Sequence, residues 1–214
     1  MTKPLILVGG GGHCKAAIDV AEQAGYTIIG ILDRPEEVGK KVLGYEIVGT
    51  DDDIIKYVAE AEFLVTVGQI QSPLLRIKLH KMVEMAGGRF ATIIAPTAYV
   101  STYATIGDGS IVLHHAFVNA DARIGKGCII NTRSTIEHDA VVNDYCHIST
   151  GAIVNGGAKV GESTFIGSQS VINQLVTIGK NSLIGAGSAV ISDLPDNCVA
   201  VGVPAQVIDK TRDE

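Results

Sequence analysis

The chain has 214 residues, with 17 Lys plus Arg against 23 Asp plus Glu and a formal net charge of -6. That balance argues against nucleic acid as a main partner, because phosphate backbones demand a basic surface. A hydrophobic share of 46% with only 19% charged residues excludes disorder. Aromatics are 5%, Trp is absent and Gly reaches 25 residues, so the core must be aliphatic and the backbone rich in tight turns. The opening run MTKPLILVGGGGHCK has no long apolar region followed by a cleavage site, which predicts no signal peptide. The lack of an apolar run of about 18 residues predicts no membrane-spanning helix. Four Cys (14, 128, 146 and 198) form no CxxC pair and fit a reducing, cytoplasmic setting.

Residues 5–8 read as a buried strand, followed by Gly9 to Gly12 and an apolar-periodic helix through about Ala24. A second strand is predicted over 27–32, ending at Asp33. A helix follows over 52–60, a strand over 63–67 ending at Gly68, a helix over 73–86 and a strand over 89–94. Alternating β and α elements imply a parallel three-layer sheet that binds ligands at the strands' C-terminal ends. A Gly run before a helix suits phosphate, because bare backbone amides can approach an anion there. The dinucleotide fingerprint is incomplete: the third glycine falls on Cys14 in one register and on Lys15 in the other. Asp33 stands about twenty residues on, where a ribose-binding acid belongs. A nucleotide or nucleotide-sugar site is favoured over NAD and over a merely tight turn.

From Ile94 to Val190 every sixth residue is Ile or Val, seventeen positions in all, and a small residue follows four places later, as at Ala98, Ala104, Ser110 and Ala116. A period of six matches neither a helix nor a lone amphipathic strand. It fits short strands joined by tight turns, three sides closing an 18-residue coil, with stacked coils burying the aliphatic column. This is the pattern of a hexapeptide-repeat parallel β-helix, left-handed in the proteins it resembles. Cys128 and Cys146, 18 apart, read as stacked buried thiols rather than a disulfide. Asn119, Glu137, Asn155 and Asn173 share a register; Asn there reads as a turn residue with left-handed φ/ψ, a polar ladder being the alternative.

Of six His, His80 reads as a surface or packing residue and His13 stands at the glycine loop, while the roles of His114 and His115 stay open. The sequence Asn131-Thr-Arg-Ser-Thr-Ile-Glu137-His138-Asp139 places an imidazole directly before an acid. A carboxylate there would raise the basicity of the ring, although the residues alone favour a plain turn histidine. His138 and His147 are nine residues apart, half a coil, which puts them on opposite sides of one prism. They would face one cleft only if another copy packed alongside, and a three-sided prism suits a cyclic trimer.

Together the segments VGGGGHCK at 8–15, Leu32-Asp33, Thr66-Val67-Gly68, Ile130-Asn131-Thr132, Ile136-Glu137-His138-Asp139, Cys146-His147-Ile148-Ser149 and Val201-Gly202-Val203-Pro204-Ala205 resemble the bacterial sugar acetyltransferases of the NeuD/PglD type. The resemblance implies an α/β, Rossmann-like nucleotide-sugar-binding domain over 1–92 and an all-β left-handed β-helix over 93–214. It implies acetyl transfer from acetyl-CoA to the 4-amino group of a nucleotide-linked 4-amino-4,6-dideoxy sugar by an enzyme that needs no metal. His138 would be the general base, polarised by Asp139 where the family often has Glu, and Asn131 would orient the acceptor. His147 of the adjacent subunit, with Gly156, Gly167, Ser168 and Ala186, would line the acetyl-CoA groove, and Gly11, Gly12, His13, Asp33, Arg34 and Gly68 would hold the nucleotide sugar. UDP is the favoured nucleotide, with GDP-perosamine N-acetylation or O-acetylation of a sialic acid or other sugar as alternatives. A zinc hydratase on the same coils would need a third His near His138, where position 143 is Asn, and a non-catalytic binding protein remains a different class.

Overall fold

The computed structural model describes residues 4–210. Its chain divides into two compact units: residues up to Gly68 with Leu74–Pro96, and Gln69–Pro73 with the chain from Thr97 onward. The first unit runs β1 (Pro4–Val8), α1 (Gly12–Gln23), β2 (Thr27–Leu32), β3 (Lys41–Val42), β4 (Tyr45–Gly49), α2 (Ile54–Tyr57), β5 (Glu62–Val65), α3 (Leu74–Met85) and β6 (Arg89–Phe90). Its sheet has the order β3-β4-β2-β1-β5-β6, parallel except for the β3-β4 hairpin. Ile6, Val8, Leu32, Phe63, Val65 and Leu79 form a core between the sheet and its helices, as expected for strands with near-continuous aliphatic runs.

Three local expectations need correction here. The helix predicted over 52–60 is a 3-10 turn over Asp51–Asp53 followed by the single turn of α2. The strand predicted over 89–94 is two strands, because only Arg89–Phe90 belongs to the α/β sheet while Ile93–Ile94 is already in step with the six-residue period. The β3-β4 hairpin has no counterpart in the prediction: its four-residue step Val42-Leu-Gly-Tyr45 is too short to show a period.

In the second unit, two-residue strands recur every six residues from Tyr99–Val100 to Ala189–Val190. They pair in parallel at 18-residue steps, as in Ile111↔Ile129, Phe117↔Thr135 and Arg123↔Val141. Three stacked sheets result, making a left-handed β-helix. The first face carries Ile111–Val112 through Leu183–Ile184 and ends on the antiparallel pair Cys198–Gly202 and Ala205–Lys210. The second face carries Tyr99–Val100 through Ala189–Val190, and the third Thr105–Ile106 through Thr177–Ile178. The aliphatic column is buried from Val112 to Val190, and the small residues beside it, such as Ala122, Ser134 and Ala140, are buried with it. Larger side chains at those positions would not fit the narrow prism, so the aromatic poverty of the chain follows from its shape.

The turns explain the glycines. Position three after each aliphatic residue has positive φ from Gly109 to Gly187, yet nine of those fourteen residues are not glycine, Asp139 (φ 61°) and Leu175 (φ 62°) among them. Glycine is needed instead directly after the aliphatic residue: a Cβ on Gly107 would lie 2.6 Å from the backbone of Gly125 one coil on. Asn119 and Asn155 are thus not left-handed turn residues. Asn119 Nδ2 donates to Glu137 Oε2 (2.6 Å) and Asn155 Nδ2 to the Ile172 carbonyl (2.8 Å), so these residues make the polar ladder between coils. Cys128 and Cys146 are free, buried thiols, each donating to a carbonyl of the next turn. Among the described residues no helix is long and apolar enough to cross a membrane.

Candidate active site

His138 and Asp139 stand on the turn between the second and third faces. The left-handed φ of Asp139 turns its short side chain back toward its neighbour, and Oδ2 accepts the Nδ1–H of His138 at 2.7 Å. One methylene less than Glu therefore does not cost the contact. The hydrogen bond, with the attraction of the carboxylate, holds the His138 imidazole above its ordinary value and Asp139 below the ordinary carboxylate range. Arg123 adds a weaker pull on Asp139, a neighbour the spacing of the sequence did not single out. With Nδ1 occupied, Nε2 carries the free lone pair, and His138 lines a cleft of about 610 Å³ together with Glu137, Gly156 and Leu175. Gly156 lies one coil above His138: a Cβ there would be 2.7 Å from His138 Cε1 and 2.8 Å from Nε2. The ring occupies the space that any other residue would take.

Asn131 and His147 lie elsewhere on the same prism. Asn131 is on the turn between the first and second faces, and His147 is a strand residue of the first face. Asn131 Oδ1 accepts the Thr132 N–H (2.7 Å), which leaves Nδ2 to donate to His147 Nε2 at 3.1 Å. His147 Nδ1 donates to the Gln69 carbonyl (2.8 Å), and Gln69 Nε2 donates to the Ser163 carbonyl (2.9 Å). Both ring nitrogens are thereby assigned, and the 7% exposed ring packs edge-on against Phe165. Gln69 carried no signal in the sequence, because its partners are 78 and 94 residues away. Gly167, Ser168 and Ala186 share the turn register of Asn131, with Ser168 Oγ 2.9 Å from Ser149 Oγ. Gly156 groups with His138 rather than with these three.

In the α/β unit, Gly11, Gly12, His13, Asp33, Arg34 and Gly68 line one cleft of about 280 Å³ at the C-terminal ends of the strands. Gly9 needs its glycine, since φ is 107° and a Cβ would strike Val67. A Cβ on Gly11 or Gly12 would meet nothing within 4 Å, so the space above them is open to a ligand. Gly11 caps α1 with no side-chain hydrogen bond and no acidic residue in the first turn, leaving amides and the positive helix end for an anion. Asp33 is engaged by the protein itself: Oδ2 accepts the Gly10 N–H (2.7 Å) and Oδ1 the Arg34 N–H (2.8 Å). Asp51, at the end of β4, joins the same cleft and was not expected. Cys14, at the position of the third glycine in the dinucleotide fingerprint, is buried, with its thiol pushed up to about 11 by that burial.

The other histidines are accounted for locally. His80 is a packing residue, 1% exposed, with its ring tilted against Phe90 at a centroid distance of 4.6 Å. His115 takes a left-handed turn position (φ 59°), and His114 Nδ1 lies 2.7 Å from Thr97 Oγ1. Among the described residues no group of three or more His, Cys, Asp or Glu could hold a metal ion.

A β-helix of hexapeptide coils with a His–carboxylate pair on a turn, preceded by a small α/β unit, defines a class of acyl-transferring proteins, and comparison with known proteins narrows it. Residues 4–83 match the family model of the PglD N-terminal domain. PerB from Caulobacter crescentus, solved with CoA and GDP-perosamine, is 33% identical over 96% of this chain and 97% of that one, with a TM-score of 0.90. The acetyltransferase domain of PglB from Neisseria gonorrhoeae, solved with acetyl coenzyme A, is 30% identical over 97% of this chain and 100% of that one, TM-score 0.91. An uncharacterised protein of Acanthamoeba polyphaga mimivirus is 35% identical over 109 residues, a match spanning about a fifth (21%) of that protein's length. The chain belongs to the PglD/NeuD-type family of sugar N-acetyltransferases.

Proposed function

We propose that the protein transfers the acetyl group of acetyl-CoA to the 4-amino group of a nucleotide-linked 4-amino-4,6-dideoxy sugar. The observation that carries this reading is the His138–Asp139 pair, 2.7 Å apart, on the wall of an open cleft. The amine nitrogen attacks the thioester carbonyl carbon, and His138 Nε2 accepts the proton that the amine loses. Collapse of the tetrahedral intermediate forms the amide and breaks the C–S bond, and the His138 imidazolium returns the proton to the departing CoA sulfur. A backbone N–H would stabilise the oxyanion. No cysteine nucleophile is required, and all four thiols are buried.

The α/β unit is the nucleotide-sugar-binding domain in this reading, with Gly11, Gly12, His13, Asp33, Arg34 and Gly68 around the ligand. The β-helix is the acetyltransferase domain, with the groove of Gly167, Ser168 and Ala186 beside His147 for the pantetheine arm, and Gly156 beneath the base. The active assembly is a homotrimer. Its support is the second face, whose outward residues Tyr99, Phe117, Ile153, Val171 and Ala189 are apolar with Thr135 the one exception, whereas the third face shows Thr105, Arg123, Lys159 and Thr177 beside Val141. The second face lies between the His138 turn and the Asn131 turn. Packing it on another copy would bring together two groups that one chain holds apart. The proposed compartment is the cytoplasm, in keeping with four free thiols.

The resemblance favours a UDP-linked sugar; the Caulobacter crescentus relative carries GDP-perosamine. The test is acetyl-CoA turnover against UDP- and GDP-linked 4-amino sugars, with sialic acids as hydroxyl acceptors. Acetylation of an amino sugar nucleotide is the expected result. Turnover on hydroxyl acceptors alone would replace the reading by O-acetylation, and no acetyl-CoA binding at millimolar concentration would leave a non-catalytic role.

A further inference from the structure

The cleft of the α/β unit contains two carboxylates at the strand ends, and they are not equivalent. Both oxygens of Asp33 are taken by backbone N–H groups of Gly10 and Arg34. Asp51 is half-buried, lines the same cleft, and makes no side-chain hydrogen bond among the described residues. Burial, followed by the charge of Asp33, pushes the Asp51 carboxyl above the ordinary range, with Lys78 opposing. This is an acceptor pair left without donors, beside a neighbour that has them.

Position along the sheet says which part of a ligand would meet it. The strand order places β1, β2 and β4 side by side. The glycine loop follows β1, Asp33 follows β2 and Asp51 follows β4. Two strand spacings separate the loop from Asp51, roughly 10 Å, about the span from a diphosphate across the ribose to the base. A diphosphate on the Gly11–Gly12 amides therefore points its base toward β4. Guanine offers N1–H and N2–H side by side, two donors matching the two oxygens of a carboxylate. Uracil offers a single N3–H between two carbonyl oxygens, which a carboxylate repels.

Resting on the nucleotide-sugar reading above, we infer that Asp51 reads the base of the substrate through a bidentate contact to guanine, making a GDP-linked sugar the preferred acceptor over a UDP-linked one. The experiment is calorimetric titration of the full chain with GDP, IDP and UDP. IDP keeps N1–H but lacks the N2 amino group, so it deletes one of the two bonds without touching the protein. GDP is expected to bind about tenfold or more tighter than IDP, the discrimination of a good bidentate pair, and tighter than UDP. In D51N the GDP–IDP gap is expected to close. Equal affinity for GDP and IDP in the unaltered protein, or a D51N variant that weakens all three by one factor, would overturn the assignment. UDP binding tighter than GDP overturns it while the nucleotide-sugar reading stands, and binding of no diphosphate at millimolar concentration removes both.

Discussion

At the level of single residues, the proposed chemistry rests on a turn histidine whose ring is fixed from two sides. Asp139 holds Nδ1 at 2.7 Å, and Gly156 leaves the room in which the ring sits. Replacing His138 by Ala is expected to lower kcat by about 10²–10⁴-fold, the usual contribution of a general base. Asp139→Asn should lose less, and its pH profile carries more information. A base works only when neutral, and Asp139 raises the pKa of His138, so the acid limb of kcat/KM should lie above the ordinary imidazole value of about 6.5. Removing the carboxylate lowers that pKa, so the limb of Asp139→Asn should move to lower pH; a limb that stays put would exclude the pair as the titrating unit. Gly156→Ala keeps the backbone conformation accessible but puts a methyl into the ring. A misplacement of about 1 Å can cost on the order of 10²-fold, so kcat should fall by that order while the circular dichroism spectrum is unchanged. The His-acid sequence made the pair legible, whereas the role of Gly156 is visible only once residues 18 apart are stacked. Asp51 is illegible for a related reason: it follows β4, a strand without a counterpart in the sequence reading, and only the strand order puts it beside Asp33.

Among the elements, the β-helix coils separate two demands that the sequence runs together. Glycine is required where the next coil passes close, as at Gly107, and not at the left-handed turn position, where Asp, Ser, Gln and Leu all occur. Leu175 is the extreme case, at φ 62° and 76% exposed. A side chain in that region costs about 1–2 kcal/mol, and glycine costs about 0.5–1 kcal/mol in backbone entropy. Leu175→Gly is therefore expected to leave stability unchanged within about 1 kcal/mol or to raise it, as read from the midpoint of thermal unfolding. A clear loss would mean that Leu175 earns its place through packing. The α/β elements are less legible than the coils, because β3 and α2 are too short to display a period, and the apolar residues over 89–94 do not show that the strand partner changes after Phe90.

For the whole molecule, the question is what covers the second face. Tyr99 and Phe117 stack at 5.0 Å and are 55% and 36% exposed, an apolar pair at the surface of one chain. If that face is the seam of a trimer, a buried charge there is unaffordable. Phe117→Asp is expected to yield monomers in light scattering after size exclusion, with turnover lost in parallel. A Phe117→Asp protein that stays trimeric would place the interface elsewhere.

The amino-acid sequence by itself determined the β-helix, because a strict period of six with two inward positions per side leaves the chain one way to bury its Ile and Val. It also determined the two chemical groups, a glycine loop before a helix and a histidine before an acid, since both are contiguous in the chain. Tertiary structure alone decided which distant residues meet. Stacking at 18 residues put Gly156 against His138, a 78-residue return brought Gln69 to His147, and the strand order set Asp51 beside Asp33. Those contacts depend on the path of the chain between the residues, and no local pattern encodes that path.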